Sequence, residues 1–128
     1  MAEISDYYEN QIIDHMLRAV AFTPPATVYV ALFTAAPTDA GGGTEVSGGA
    51  YARQAVTLSA ASAGATSNSA DVTFPAATAN WGTVVALGLF DAETAGNLLM
   101  WTNLDVSKAV NSGDTAKFNT GDLDITFD

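Results

Sequence analysis

His15 is the only histidine in a chain that has no cysteine at all, so thiol nucleophiles, thiolate metal sites and disulfides are absent from the start. A serine–histidine–acid triad would have to use His15 with a serine in hydrogen-bond reach. No "GxSxG" elbow supplies one, and His15 reads as a helix-surface residue. The carboxylates offer the other route to chemistry. Asp122 and Asp124 share one face of a strand, and Asp39, Glu45, Asp91 and Glu93 sit in turns. Glycoside hydrolysis needs two convergent carboxylates at a set separation, and nothing in their spacing makes these converge. A calcium site needs closely spaced oxygen ligands along one loop, and "NSGD" reads as a turn before it reads as a ligand loop. The expectation is a protein with no enzymatic activity, no cofactor and no metal.

Two other features invite a binding role. The stretch "DAGGGTEVSGG" is glycine-rich, but it lacks the Lys-Ser/Thr of a phosphate-binding loop and the strand–helix setting of a dinucleotide site. It reads as a surface loop, or as one that becomes ordered against a neighbouring subunit through Gly41, Gly42, Gly43 and Glu45. Trp81 and Trp101 would suit a glycan- or receptor-binding groove if exposed, although both lie in apolar strand contexts.

The elements that must position these residues begin with a helix over residues 4–20. Ser5 or Asp6 can cap it, and Asp6 with Glu9 has the spacing of a capping box. Tyr8, Ile12, Ile13, Met16, Leu17 and Val20 form one apolar stripe at helical spacing. That stripe must lie on its own sheet or on a partner, and Tyr7, Tyr8, Ile12 and Met16 are its candidate interface residues. Pro24 and Pro25 then stop the helix. From residue 26 to 128 the chain reads as short strands and turns. Val28–Phe33 is too continuous for a sheet with one wet face and far too short to span a bilayer. It is expected to be a central strand, covered by a second sheet on one side and by the helix on the other. Residues 84–104 read as a hairpin, and "AVNSGDTAKF" as a second hairpin. In "DLDITFD", Leu123, Ile125 and Phe127 alternate with acids and a threonine. About seven or eight short strands predict a mainly β, antiparallel sandwich or barrel with one N-terminal helix, in a single domain spanning 1–128.

Composition narrows the partners. Four basic residues against 14 acidic ones give a net charge of −10, which argues against nucleic acid and against an anionic membrane surface. The N-terminal "MAEISDYYENQ" has acids where a signal peptide would have a basic region and an apolar run, so the chain is expected to be made in the cytosol.

The wording of the chain resembles a family of small tailed-phage virion proteins, often described as tail-fibre-like. The matching stretches are "TPPATVYVALFTAAPTDAGGGTEVSGGAYARQAVTL", "SNSADVTFPAATANWGTVVALGLFDAETAGNLL" and "VNSGDTAKFNTGDLDITFD", in the same order along nearly the whole chain. The resemblance implies a non-enzymatic structural component of the virion. Because the chain is short and has no coiled or repetitive shaft, the expected role is a capsid decoration or cement protein. It would bind the major capsid protein as a homo-oligomer, a trimer. The alternative is a tail, neck or fibre adaptor, and the third reading is a glycan- or receptor-binding module.

Overall fold

The computed structural model describes residues 3–127. In chain order its elements are β1 (Glu3–Ile4), α1 (Asp6–Arg18), β2 (Val28–Ala35), β3 (Thr44–Glu45), β4 (Gln54–Val56), β5 (Ala65–Ser67), β6 (Val72–Thr73), β7 (Gly82–Phe90), β8 (Leu98–Val110), β9 (Lys117–Phe118) and β10 (Asp124–Thr126). The fold is mainly β and antiparallel, with one helix, and no barrel closes. A six-stranded sheet runs β1-β8-β7-β2-β3, with β4 pairing beside β3 on β2. Two ribbons, β5 with β10 and β6 with β9, form the second layer.

The apolar run that defines β2 is inner, as its composition requires. It pairs with β7 from Tyr29 to Phe33 on one side, and with β4 and β3 on the other. Alternation splits its side chains between two cores. Val30 and Leu32 join Leu87, Leu89, Phe74, Trp81 and Ile125 in the main cluster, between sheet and ribbons. Ala31 and Phe33 face the other way and form a small second cluster with Ala86.

What covers that second face is not the helix, contrary to the sequence expectation. The chain enters α1 from β1, which pairs with β8 at the far edge of the sheet. Two strands separate β1 from β2, so α1 is anchored roughly 14 Å from the strand it was expected to shield, at about 4.8 Å per strand. The cover comes instead from Arg53. Its guanidinium lies 3.6 Å from the centroid of Phe90, whose ring stacks on Phe33. The same group donates to Glu45 through Nε and Nη2, both at 2.8 Å, and to the carbonyls of Ala92 and Ala95 at 2.9 and 2.7 Å.

Two boundaries differ locally. Ser5 alone caps α1: its Oγ accepts from the Tyr8 N–H at 3.2 Å, so Tyr8 and not Glu9 occupies the position a capping box would need. Asn111–Asp114 is a turn, as expected, but it does not fold β9 back on β8. The chain crosses to the second layer, and β9 pairs with β6 through Val72–Phe118 and Thr73–Lys117. The apolar Phe118 is thereby drawn onto the main cluster, which a hairpin on the exposed end of β8 would not achieve.

Candidate partner interface

The helix is amphipathic, yet none of its residues is buried. Met16 is 70% exposed and Leu17 80%, while Ile13 and Val20 stand about half clear of the protein at 50% and 43%. Tyr7 is exposed too. Only the start of the stripe is used internally: Tyr8 and Ile12 are half-buried, and Tyr8 packs on the main cluster with its ring 6.0 Å from Phe22. Anchoring is polar and lies at the N-terminal end. The buried Ser5 donates its hydroxyl to the Leu98 carbonyl and its N–H to Leu99, and the Asp6 N–H reaches the Asp39 carbonyl at 2.9 Å. The far end closes on itself. Ala19 adopts a left-handed cap at φ 56°, and His15 Nδ1 donates to the Val20 carbonyl at 3.0 Å. His15 thus serves the helix terminus, where a donor belongs.

At the foot of α1 a crevice of about 320 Å³ opens between the helix and the β5–β10 ribbon. Tyr8, Val28, Leu89, Leu99, Ile125 and Phe127 line it, and among the described residues no charged one does. Phe127, which continues the alternation of β10, is 48% exposed at its rim, whereas Leu123 and Ile125 are buried.

The other candidates occupy different places. Gly41, Gly42 and Gly43 all have positive φ, at 93°, 80° and 76°, so the loop needs glycine for its backbone. Gly43 also passes so close to Ala35 that a Cβ would sit 2.7 Å from that carbonyl oxygen. A Cβ at Gly41 or Gly42 would meet nothing within 4 Å. Glu45 turns inward: it receives Arg53 and the Tyr51 hydroxyl, which in turn accepts from the Leu32 N–H. Burial pushes the Glu45 carboxyl up, but the bonds from Arg53 and Tyr51 and the guanidinium charge outweigh it, so its pKa is lowered. Burial and the neighbouring Glu45 carboxylate raise that of Tyr51. Gly41–Gly43 and Glu45 therefore sit apart from the helical stripe in their roles.

Three of the remaining carboxylates are turn staples. Asp91 accepts from the N–H and amide of Asn97, Asp114 from Asn111, and Asp122 from Asn119. Asp39 holds the Trp101 indole N–H at 2.9 Å, and buried Trp81 donates to the Gly49 carbonyl. Among the described residues no group of three or more His, Asp or Glu is arranged to hold a metal ion. No helix among them is long and apolar enough to cross a membrane. Sequence reading missed two features, the Arg53 network and the crevice. An arginine standing alone inside the strand-like "YARQAV", in a chain with only four basic residues, was the available signal for the first. The crevice is assembled from six separate segments and has no local signature.

The structure is thus a small β-rich domain with a bare helical face, several of whose acids brace turns. The comparison with protein families is specific. Residues 3–126 match the family described as podophage GP4 fiber I protein gp80, and the chain belongs to that family of tailed-phage virion proteins. No curated protein matches the chain.

Proposed function

We propose that this protein is a structural joint of the phage particle: it performs no chemistry and docks on another virion protein through the bare face of α1. The observation that carries this reading is a 13-residue helix with no buried residue and an apolar stripe standing in solvent. Contiguous exposed apolar surface on a small protein marks an interaction site. Fully burying a leucine, isoleucine, methionine or valine is worth about 1.5–3 kcal/mol each, and association itself costs at least about 4 kcal/mol. A single docked helix is therefore a weak tie. Repeated copies on a symmetric particle turn weak ties into a stable coat or collar.

Two placements have support. A compact sheet with no shaft element among the described residues suits a decoration protein that clamps the major capsid protein, associating as a trimer at symmetric seams. The family, described as one of fibre proteins, supports a place on the tail or neck. Copy number per purified virion, by quantitative mass spectrometry against the major capsid protein, separates the two. A sizeable fraction of the capsid protein means the shell, and a handful of copies means the tail. The docking reading itself is tested with Met16→Asp and Leu17→Asp. Both variants are expected to fold and to be missing from particles; incorporation at the wild-type level would overturn it.

A further inference from the structure

We infer that the occupant of the α1 face is an amphipathic segment flanked by lysine or arginine, which seats one apolar side chain in the crevice at the foot of the helix. This rests on the docking reading and adds the partner's chemistry to it.

The crevice fixes the apolar part. Its roughly 320 Å³ is about twice the size of a cavity that takes up benzene, in a class of interior where voids larger than a water molecule are few. It is open, and the described residues that line it carry no charge, so a leucine- or phenylalanine-sized group fits it and an ion does not. Crevice and stripe form one surface. Tyr8 belongs to both, and Ile12 and Met16 follow it at intervals of four residues along the same helical face. A partner laid along α1 thus meets exposed Met16 at one end and the opening beside Tyr8 at the other. This is the groove-and-anchor mode by which amphipathic segments are bound.

Charge fixes the flanks. The helix carries Asp6, Glu9 and Asp14. Its one arginine, Arg18, is tied to Asp14 at 2.7 Å. Among the described residues Arg53 and Lys117 are likewise paired with carboxylates, which leaves little positive charge to meet an acidic partner. A second copy docked face to face here would set the same acids, Asp6 and Glu9, against themselves. A basic partner gains where a second copy is repelled.

The test uses the full chain and two labelled helical peptides with the same leucine face, one with lysine flanks and one with glutamate flanks. Fluorescence anisotropy is read at low and at high salt. The lysine peptide is expected to bind saturably and to weaken about tenfold at high salt, and the glutamate peptide not to bind. Ala61→Trp, which fills the crevice from its exposed rim, and Met16→Asp are each expected to weaken the lysine peptide about tenfold or more. Thermal melts confirm that each variant folds, with Met16→Gln as the milder substitute. Equal binding of both peptides, or binding untouched by Ala61→Trp and Met16→Asp, overturns the inference. So does a dimer in sedimentation that Met16→Asp dissolves, because the occupant is then a second copy. If Met16→Asp is lost from virions while peptide binding is unchanged, only this inference fails. If it enters virions normally while peptide binding is lost, the docking reading fails.

Discussion

Arg53 does the most of any side chain in the molecule. It ties Glu45, the Phe90 ring and the 91–97 turn into one cover for the second face of the sheet. Breaking a buried ion pair by removing one partner costs about 3–5 kcal/mol, because the remaining charge is left without compensation. Arg53→Ala should therefore lower the unfolding free energy by an amount near the bottom of that range, because Glu45 is only partly buried, and Arg53→Lys should recover only part, since lysine lacks the planar fork. The same pair sets a pH dependence. Glu45 holds its proton less tightly in the folded protein than in the unfolded one. Its contribution is thus present above the unfolded value of about 4.3 and disappears as pH falls through the folded one. Exposed Asp71, lowered by its bond from Lys117, shifts with the same sign. Urea midpoints should drop below about pH 4 in the wild type, and Glu45→Gln should flatten that drop without abolishing it. At this scale the sequence was a poor guide: Glu45 read as a loop acid facing a neighbour, because nothing local announces that Arg53 comes back beneath it.

The helix shows how far an element can be read before its surroundings are known. Its existence and its apolar stripe were legible from spacing; its stop, at the left-handed Ala19 and not at Pro24-Pro25, was not. Nor was its first residue, because Ile4 belongs to a strand that only β8 can define. Ser5 joins the two elements, capping α1 while bonding to Leu98. Loss of an N-cap alone costs about 1 kcal/mol, and a buried hydrogen bond adds about as much again. Ser5→Ala should therefore destabilise by about 2 kcal/mol in equilibrium unfolding. Met16→Asp makes the opposite case. An exposed position away from caps and cores shifts stability by less than about 0.5 kcal/mol, so its melting curve should overlie the wild type's even as attachment is lost. β2 was legible for a plainer reason: a run with no polar alternation has to be inner, whatever its neighbours are.

In the whole molecule, strand content and the 84–104 hairpin were readable, and strand partnership over longer distances was not. Turn residues mark where strands end, but pairing between β1 and β8 or β6 and β9 is decided by which apolar faces meet over the core. The second layer depends on Asn68, only 1% exposed. Its amide donates to the carbonyls of Ala70 and Asn119 at 2.8 and 2.9 Å, and its oxygen accepts from the Leu123 N–H at 2.9 Å. One side chain so links the start of the second layer to its end. Asn68→Ala would leave the Ala70 carbonyl and the Leu123 N–H without these partners at about 1–3 kcal/mol each, while the Asn119 carbonyl keeps the Asp122 N–H, so a loss of at least about 2 kcal/mol is expected. Hydrogen exchange should show the β5–β10 ribbon opening before the main sheet.

The pairing of Glu3 with Trp101 also has a consequence for how the protein is made. The strand that tethers α1 is synthesised nearly a hundred residues before its partner. Until Trp101 leaves the ribosome, the helix lacks the strand that seats it, and Tyr8 and Ile12 have no sheet to pack on beside the rest of the stripe. In an infected cell many such chains are made side by side, and exposed stripes of this kind drive aggregation. Translation speed through the segment between Leu98 and Trp101, and the chaperones available at that moment, therefore bear on how much of this protein reaches assembly.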